Sequence, residues 1–194
     1  MRLLLLAPPG AGKGTQAERL TARYRCEHIA SGDLLRGEIS RATPLGKVAE
    51  SYVRAGDLVP DELLLDLVAA RVLAASAAGG YVLDGWPRNL AQAEAAYRLA
   101  SSIEAPVTLQ AVLHLSVERD ELVRRMLARA ATEGRADDTG GTIAHRLDVY
   151  DRLTEPLLGF YSERGILHTV DGARPVDAVT AAIVGLLEGA GLAA

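Results

Sequence analysis

Short runs of consecutive apolar residues alternate along this chain with longer stretches whose apolar positions recur every three or four residues. The runs at 3–7, 81–83, 109–115 and 166–170, with a weaker one at 27–30, read as strands buried on both faces. Helical periodicity fills the intervals at 15–25, 61–77, 90–102, 118–130, 142–164 and 176–188. Strand alternating with helix predicts an α/β fold, a five-stranded parallel sheet covered on both faces and joined by right-handed crossovers. In such sheets ligands sit beyond the carboxyl ends of the strands. Two insertions interrupt the alternation. Residues 31–59 carry two short helical segments, 32–41 and 44–55, with no strand between them, and residues 130–141 are loop-like. Each insertion is either a flap over the ligand edge or surface decoration.

The first apolar run leads into Ala7-Pro8-Pro9-Gly10-Ala11-Gly12-Lys13-Gly14-Thr15, and a helical stretch follows at once. Strand, glycine-rich turn and helix start together make a phosphate cradle. Glycines let backbone N–H groups curl around an anion, the helix N-terminus adds partial positive charge, and a lysine supplies a point charge. Of 21 cationic residues only Lys13 and Lys47 are lysines, so one stands at the phosphate position. The match to G-x-x-x-x-G-K-[ST] is imperfect, with Ala7 at the first glycine and Gly14 at the hydroxyl position. Ala7 is tolerated where its φ is negative. Thr15 offers its hydroxyl one residue late, which leaves its role as a metal ligand open.

Composition narrows the class. With 194 residues, 49% hydrophobic and 24% charged, the chain reads as one globular domain with small appended lobes. A lone cysteine, Cys26, excludes an internal disulfide framework and a four-thiolate zinc site. The opening apolar run is too short for a signal peptide or a membrane span. The expectation is a soluble, cytoplasmic monomer. A net charge of −4 with no basic block argues against nucleic acid as the main partner, so any bound anion must be held by locally gathered arginines.

Arginine placement supplies a second anion site. Asp84-Gly85-Trp86-Pro87-Arg88 follows a buried strand, which brings Arg88 to the ligand edge beside a carboxylate suited to a metal. Asp33-Leu34-Leu35-Arg36 opens the first insertion. Arg125 and Arg129 are four apart on one helix, and Arg135 and Arg146 flank the second insertion. Like charges at that spacing repel, so the pair asks for an anion or for carboxylates such as Glu121. Phosphoryl transfer between nucleotides is the chemistry that gathers several anions in one cleft, and its catalysis is mainly positioning and electrostatic stabilisation. A phosphate acceptor is already an anion, so no general base is needed. His28, His114, His145 and His168 accordingly receive no catalytic role.

In order and spacing these landmarks closely resemble the adenylate kinases, within the nucleoside monophosphate kinases, over nearly the whole length. The resemblance implies a P-loop three-layer core (residues 1–29, 60–128 and 142–194), a monophosphate-binding flap at 30–59 and a short lid at 129–141. The lid lacks the cysteines that hold zinc in some relatives, so no structural zinc is expected. By the same resemblance Gly10, Ala11, Gly12, Lys13, Gly14 and Thr15 hold the ATP phosphates, with Arg129 on the phosphates and Arg174 near the base. Ser31, Arg36, Asp57, Leu58, Val59, Gly85, Trp86, Pro87, Arg88 and Gln92 form the AMP pocket, joined by Arg135 and Arg146. Lys13, Arg88, Arg125, Arg129, Arg135 and Arg146 are the implied catalytic cations. Asp33 and Asp84 are the implied partners of Mg²⁺ through water, and Asp137 and Asp138 hold the closed lid. The implied reaction is Mg-dependent phosphoryl transfer from ATP to AMP giving two ADP.

The chain departs from the family at Ala7, at Trp86, where phenylalanine or tyrosine is usual, and at Thr139-Gly140-Gly141, where a more acidic stretch is usual. The two glycines read as a loose hinge or as turn residues. Acceptor choice rests on few side chains. Ser31 and Gln92 favour AMP, whereas Asn89 resembles the uridylate/cytidylate kinases. A nucleotide-binding switch without transfer is a further alternative, but it has no use for a second anion pocket.

Overall fold

The computed structural model describes residues 1–103, 106–133 and 140–192. Its five strands are β1 (Arg2–Leu6), β2 (Glu27–Ala30), β3 (Tyr81–Asp84), β4 (Ala111–Ser116) and β5 (Leu167–Asp171), all parallel in the order β2-β3-β1-β4-β5. The expected sheet is present, with strand ends shifted by one or two residues from the apolar runs. Alternate residues of β1 feed different cores, as a period of two requires. Leu3 and Leu5 join a cluster with Ala17, Leu20, Met126 and Ile183, whereas Leu4 and Leu6 join one with Leu64, Val68, Tyr81 and Tyr161.

Helices α1 (Lys13–Tyr24), α4 (Asp61–Ala77), α5 (Leu90–Ser101), α6 (Arg119–Glu133) and α9 (Val176–Gly189) supply the crossovers and outer layers. Beyond the end of β2 at Ala30, residues 31–59 contain α2 (Ser31–Ser40) and α3 (Pro44–Ala55) and no strand. Thr43 caps α3 by accepting from the Gly46 N–H at 3.0 Å. Gly46 lies so close to the Glu38 carbonyl that any Cβ there would collide with the backbone of α2. The two short helices therefore pack as one hairpin.

The single helix expected at 142–164 is three pieces. Helix α7 (Gly140–Val149) runs into a π-helical turn (Tyr150–Thr154), and α8 (Leu157–Ser162) resumes beyond Pro156. The Glu155 N–H reaches five residues back to the Tyr150 carbonyl at 2.9 Å, which inserts one extra residue into the turn. Pro156 then has no N–H to continue the ladder. Gly140 and Gly141 open α7 rather than forming a loop, and α6 extends to Glu133, past the expected end at 130.

Candidate active site

The glycine-rich turn leaves the carboxyl end of β1, the central strand, and α1 starts at its lysine. Gly10 (φ +84°) and Gly12 (φ +92°) occupy the left-handed region, and a Cβ on Gly10 would press into Met126 Cγ. Those two positions need glycine. Ala7 is not in that region, so alanine fits there without strain. Ala11 turns into the core below the loop. Lys13 Nζ donates to the carbonyls of Ala7 (2.7 Å) and Pro8 (3.1 Å). Burial lowers the Lys13 pKa to about 8, and Arg88, Arg146 and Arg129 push the same way against the attraction of Asp84.

Beyond the turn lies a cleft of about 520 Å³. Gly10, Gly12, Lys13, Gly14 and Thr15 of the turn line it together with Arg36, Leu58, Gly85, Pro87 and Arg88, and with Arg125, Arg129 and Arg146. Parallel pairing sets Asp84 beside Leu5, so the β3 carboxylate arrives next to the turn. Burial alone would raise the Asp84 pKa, but the His28 imidazole and the charges of Lys13 and Arg88 more than offset it, and the net shift is downward. Asp84 is therefore ionised at neutral pH. His28 Nε2 stands 3.7 Å from Asp84 Oδ2, an ion-pair separation rather than a hydrogen bond. The Asp84 neighbourhood raises the His28 pKa above its ordinary value, against the effect of burial.

The second cationic pocket is anchored through one backbone oxygen. The Gly85 carbonyl accepts from Ser31 Oγ (2.7 Å) and from Arg88 Nε (2.5 Å). Gly85 has φ +79°, and a Cβ would meet Ser31 Oγ and the Arg88 guanidinium, so glycine is required. The Arg88 carbonyl accepts from Thr154 Oγ1 at 2.7 Å, a hydroxyl delivered by the π turn. Burial lowers the Arg88 pKa, against the attraction of Asp84. Arg36 pairs with Asp33 one turn earlier on α2. His145 Nε2 lies 2.7 Å from Asp57 Oδ1, which ties α7 to the end of the α2–α3 insertion.

Other expected residues stand elsewhere. Arg125 lines the cleft, but its guanidinium is fastened to Glu121 (2.6 Å) and to the carbonyls of Gly172 (3.0 Å) and Ala173 (3.3 Å). Arg174 is exposed on the loop after β5. Val59 and Trp86 are buried in the core, and their side chains are not among those lining the cleft. Gln92 is buried with 2% exposure, its amide bonded to Asp61 and to the Arg88 N–H. Asn89 caps α5 by accepting from the Gln92 N–H at 2.8 Å, so helix capping accounts for its presence. Arg135, Asp137 and Asp138 lie outside the described residues. The sequence reading missed His28, Tyr150 and Thr154 as cleft residues. His28 was legible in principle, two positions before the end of a strand that pairs with β3; nothing in the sequence marks Thr154.

A glycine-lined anion cradle on the central strand of this sheet, opposed by a second cationic pocket, defines a P-loop phosphotransferase architecture. The family model described as adenylate kinase matches residues 5–166. A protein named adenylate kinase from Xanthomonas campestris pv. campestris (strain B100) is 49% identical over 179 residues, covering 92% of this chain and 95% of that protein. Adenylate kinases from Kocuria rhizophila and Stenotrophomonas maltophilia (strain K279a) are 46% and 45% identical over 188 residues each, covering 96% and 97% of this chain and 98% and 100% of theirs. The chain belongs to the adenylate kinase family and is a nucleoside monophosphate phosphotransferase.

Proposed function

We infer that this chain moves the terminal phosphoryl group of ATP onto AMP, giving two ADP, with the glycine-rich turn as donor cradle and the Ser31–Arg36–Arg88 side as acceptor pocket. The observation that carries this reading is the continuity of the cleft. The glycine-rich turn with Lys13, Asp84, Arg36 and Arg88 all line one cavity rather than separate pockets. Residues 30–59 act as the acceptor flap and residues 129–141 as the lid.

Each charge has a task. At neutral pH Lys13 keeps its proton below its pKa of about 8 and offsets the charge that spreads over the transferred group. Arg88, held by the Gly85 carbonyl through Nε, keeps its terminal nitrogens for the acceptor phosphate. Arg129 and Arg146 face the same volume and neutralise the remaining oxygens. The acceptor oxygen is an anion, so no side chain has to take a proton from it. Water is the competing acceptor, and closure of flap and lid over both nucleotides excludes it.

The donor set at the floor fits a hard divalent cation held through water, because Asp84 is ionised, inward-facing and an oxygen ligand. Asp33 also lines the cleft, paired with Arg36. Mg²⁺ held there through water by Asp84 and Asp33 would supply positive charge against the negative charge that develops on the transferred group.

The test mixes the protein with Mg·ATP and a panel of nucleoside monophosphates and measures ADP. Turnover led by AMP is expected. Turnover led by UMP or CMP would move the chain to the uridylate/cytidylate class, and nucleotide binding without ADP would make it a switch.

A further inference from the structure

Gln92, which is buried, and Asp61, which is half-buried, form a polar pair that the phosphate chemistry does not use. Asp61 opens α4, 31 residues before Gln92 in sequence, and its Oδ1 accepts from Gln92 Nε2 at 2.6 Å. The same carboxylate accepts from Asn89 Nδ2 at 3.1 Å (Oδ1) and 3.3 Å (Oδ2). At the opposite end of the amide, Gln92 Oε1 accepts from the Arg88 N–H at 2.6 Å.

A glutamine amide presents a donor and an acceptor, and turning it by half a revolution exchanges them. Left alone it reads a donor–acceptor edge and its reverse equally well. Here a carboxylate faces one end and a backbone N–H faces the other. Turning the amide would set oxygen against carboxylate and NH₂ against N–H, two repulsive contacts in a site with 2% exposure. Only one orientation is permitted. It leaves one Nε2 hydrogen and one Oε1 lone pair for a ligand, in fixed order.

We propose that Asp61 is a specificity-determining positioning residue, which locks the Gln92 amide so that it matches the edge of adenine and rejects that of guanine. Adenine offers an exocyclic NH₂ donor beside a ring-nitrogen acceptor. Guanine offers the reverse, a carbonyl acceptor beside a ring N–H donor. An amide free to turn serves both; one held by Asp61 leaves guanine with two unpaired polar groups. A mismatch of that kind discriminates strongly because the buried partners go unsatisfied. The proposal rests on the reading above that places the acceptor base at Gln92.

The experiment measures kcat and KM for AMP and for GMP with the parent enzyme, Asp61→Asn, Gln92→Ala and the double variant, at saturating Mg·ATP. Asp61→Asn keeps the shape but can offer either its carbonyl or its NH₂ to Gln92, which removes one of the two contacts that forbid the turned amide and leaves only the Arg88 N–H against it. The AMP:GMP ratio of kcat/KM is expected to fall about tenfold or more, mostly through KM, with the KM for ATP unchanged. In the Gln92→Ala background Asp61→Asn should leave the ratio where it is. Because both acceptors are assayed on the same sample, the ratio does not depend on the folded fraction. An unchanged ratio in Asp61→Asn, with a lowered one in Gln92→Ala, overturns the role of Asp61 while keeping the base at Gln92. An unchanged ratio and AMP KM in Gln92→Ala removes the acceptor base from Gln92 and the proposal with it. A further loss in the double variant makes Asp61 a purely structural residue and also overturns the proposal.

Discussion

Lys13 sits where three cations and one carboxylate meet, and its lowered pKa follows first from burial and then from the three cations, against the pull of the carboxylate. Two consequences can be measured. Lys13→Met should cut kcat by about 10²–10³, the scale of losing one preorganised charge at a reacting group, while the fold is retained at neutral pH, where burial already penalises the charged side chain. Single-turnover rates beside denaturant melts check both halves. The second consequence concerns pH. Free enzyme loses the Lys13 proton as pH rises through about 8, so kcat/KM for ATP should decline above that value, approaching tenfold per unit. Stability responds in the opposite direction. With the folded pKa below the ordinary 10.5, the unfolded chain binds more protons between about pH 8 and 10.5, and the contribution of this side chain to stability grows with pH across that window. Lys13→Met should abolish both dependences.

Among the elements, the π turn has the most specific task. A regular helix through 150–154 would carry Thr154 to a different azimuth, whereas the inserted residue sets its hydroxyl on the Arg88 carbonyl. Thr154→Val should therefore cost about 1–2 kcal/mol of unfolding free energy and raise KM for AMP more than KM for ATP, read from denaturation and initial rates. At the start of α7 the reverse holds. A Cβ on Gly141 meets nothing within 4 Å, so Gly141→Ala should stabilise the fold by up to about 1 kcal/mol, visible as a raised melting temperature. These elements also mark how far the sequence could be read. Strands buried on both faces announce themselves as apolar runs, and the glycine-rich turn as a motif in its required context. The π turn leaves no such trace, because Ile143, Leu147, Leu157 and Tyr161 keep a helix-like spacing across it and only Pro156 hints at a break. The sequence singles out Gln92, but its bond to Asp61 was not legible, since that bond joins positions far apart in the chain.

For the whole molecule, the parallel sheet keeps both cradles at one edge while two separate cores hold its faces. Donor and acceptor should then stabilise the same folded unit. A bisubstrate analogue at 100 times its Kd should add about 2.7 kcal/mol, a rise of about 5–10 °C for a chain of this size. The same analogue should slow hydrogen exchange across residues 30–59 more than ATP alone does. Equal protection by ATP alone would argue that the α2–α3 insertion does not cover the acceptor. The arginines facing the cleft contrast with a net charge of −4, so added salt should weaken nucleotide capture more than it weakens the fold.

Trp86 is the only tryptophan in the chain, and it is buried at 4% exposure in the turn that joins β3 to the acceptor side. Its indole emission therefore reports on a single place, with no label and no competing fluorophore of its kind. A stopped-flow record of that light, taken as AMP or ATP is added, would time events at the acceptor pocket separately from those at the donor turn.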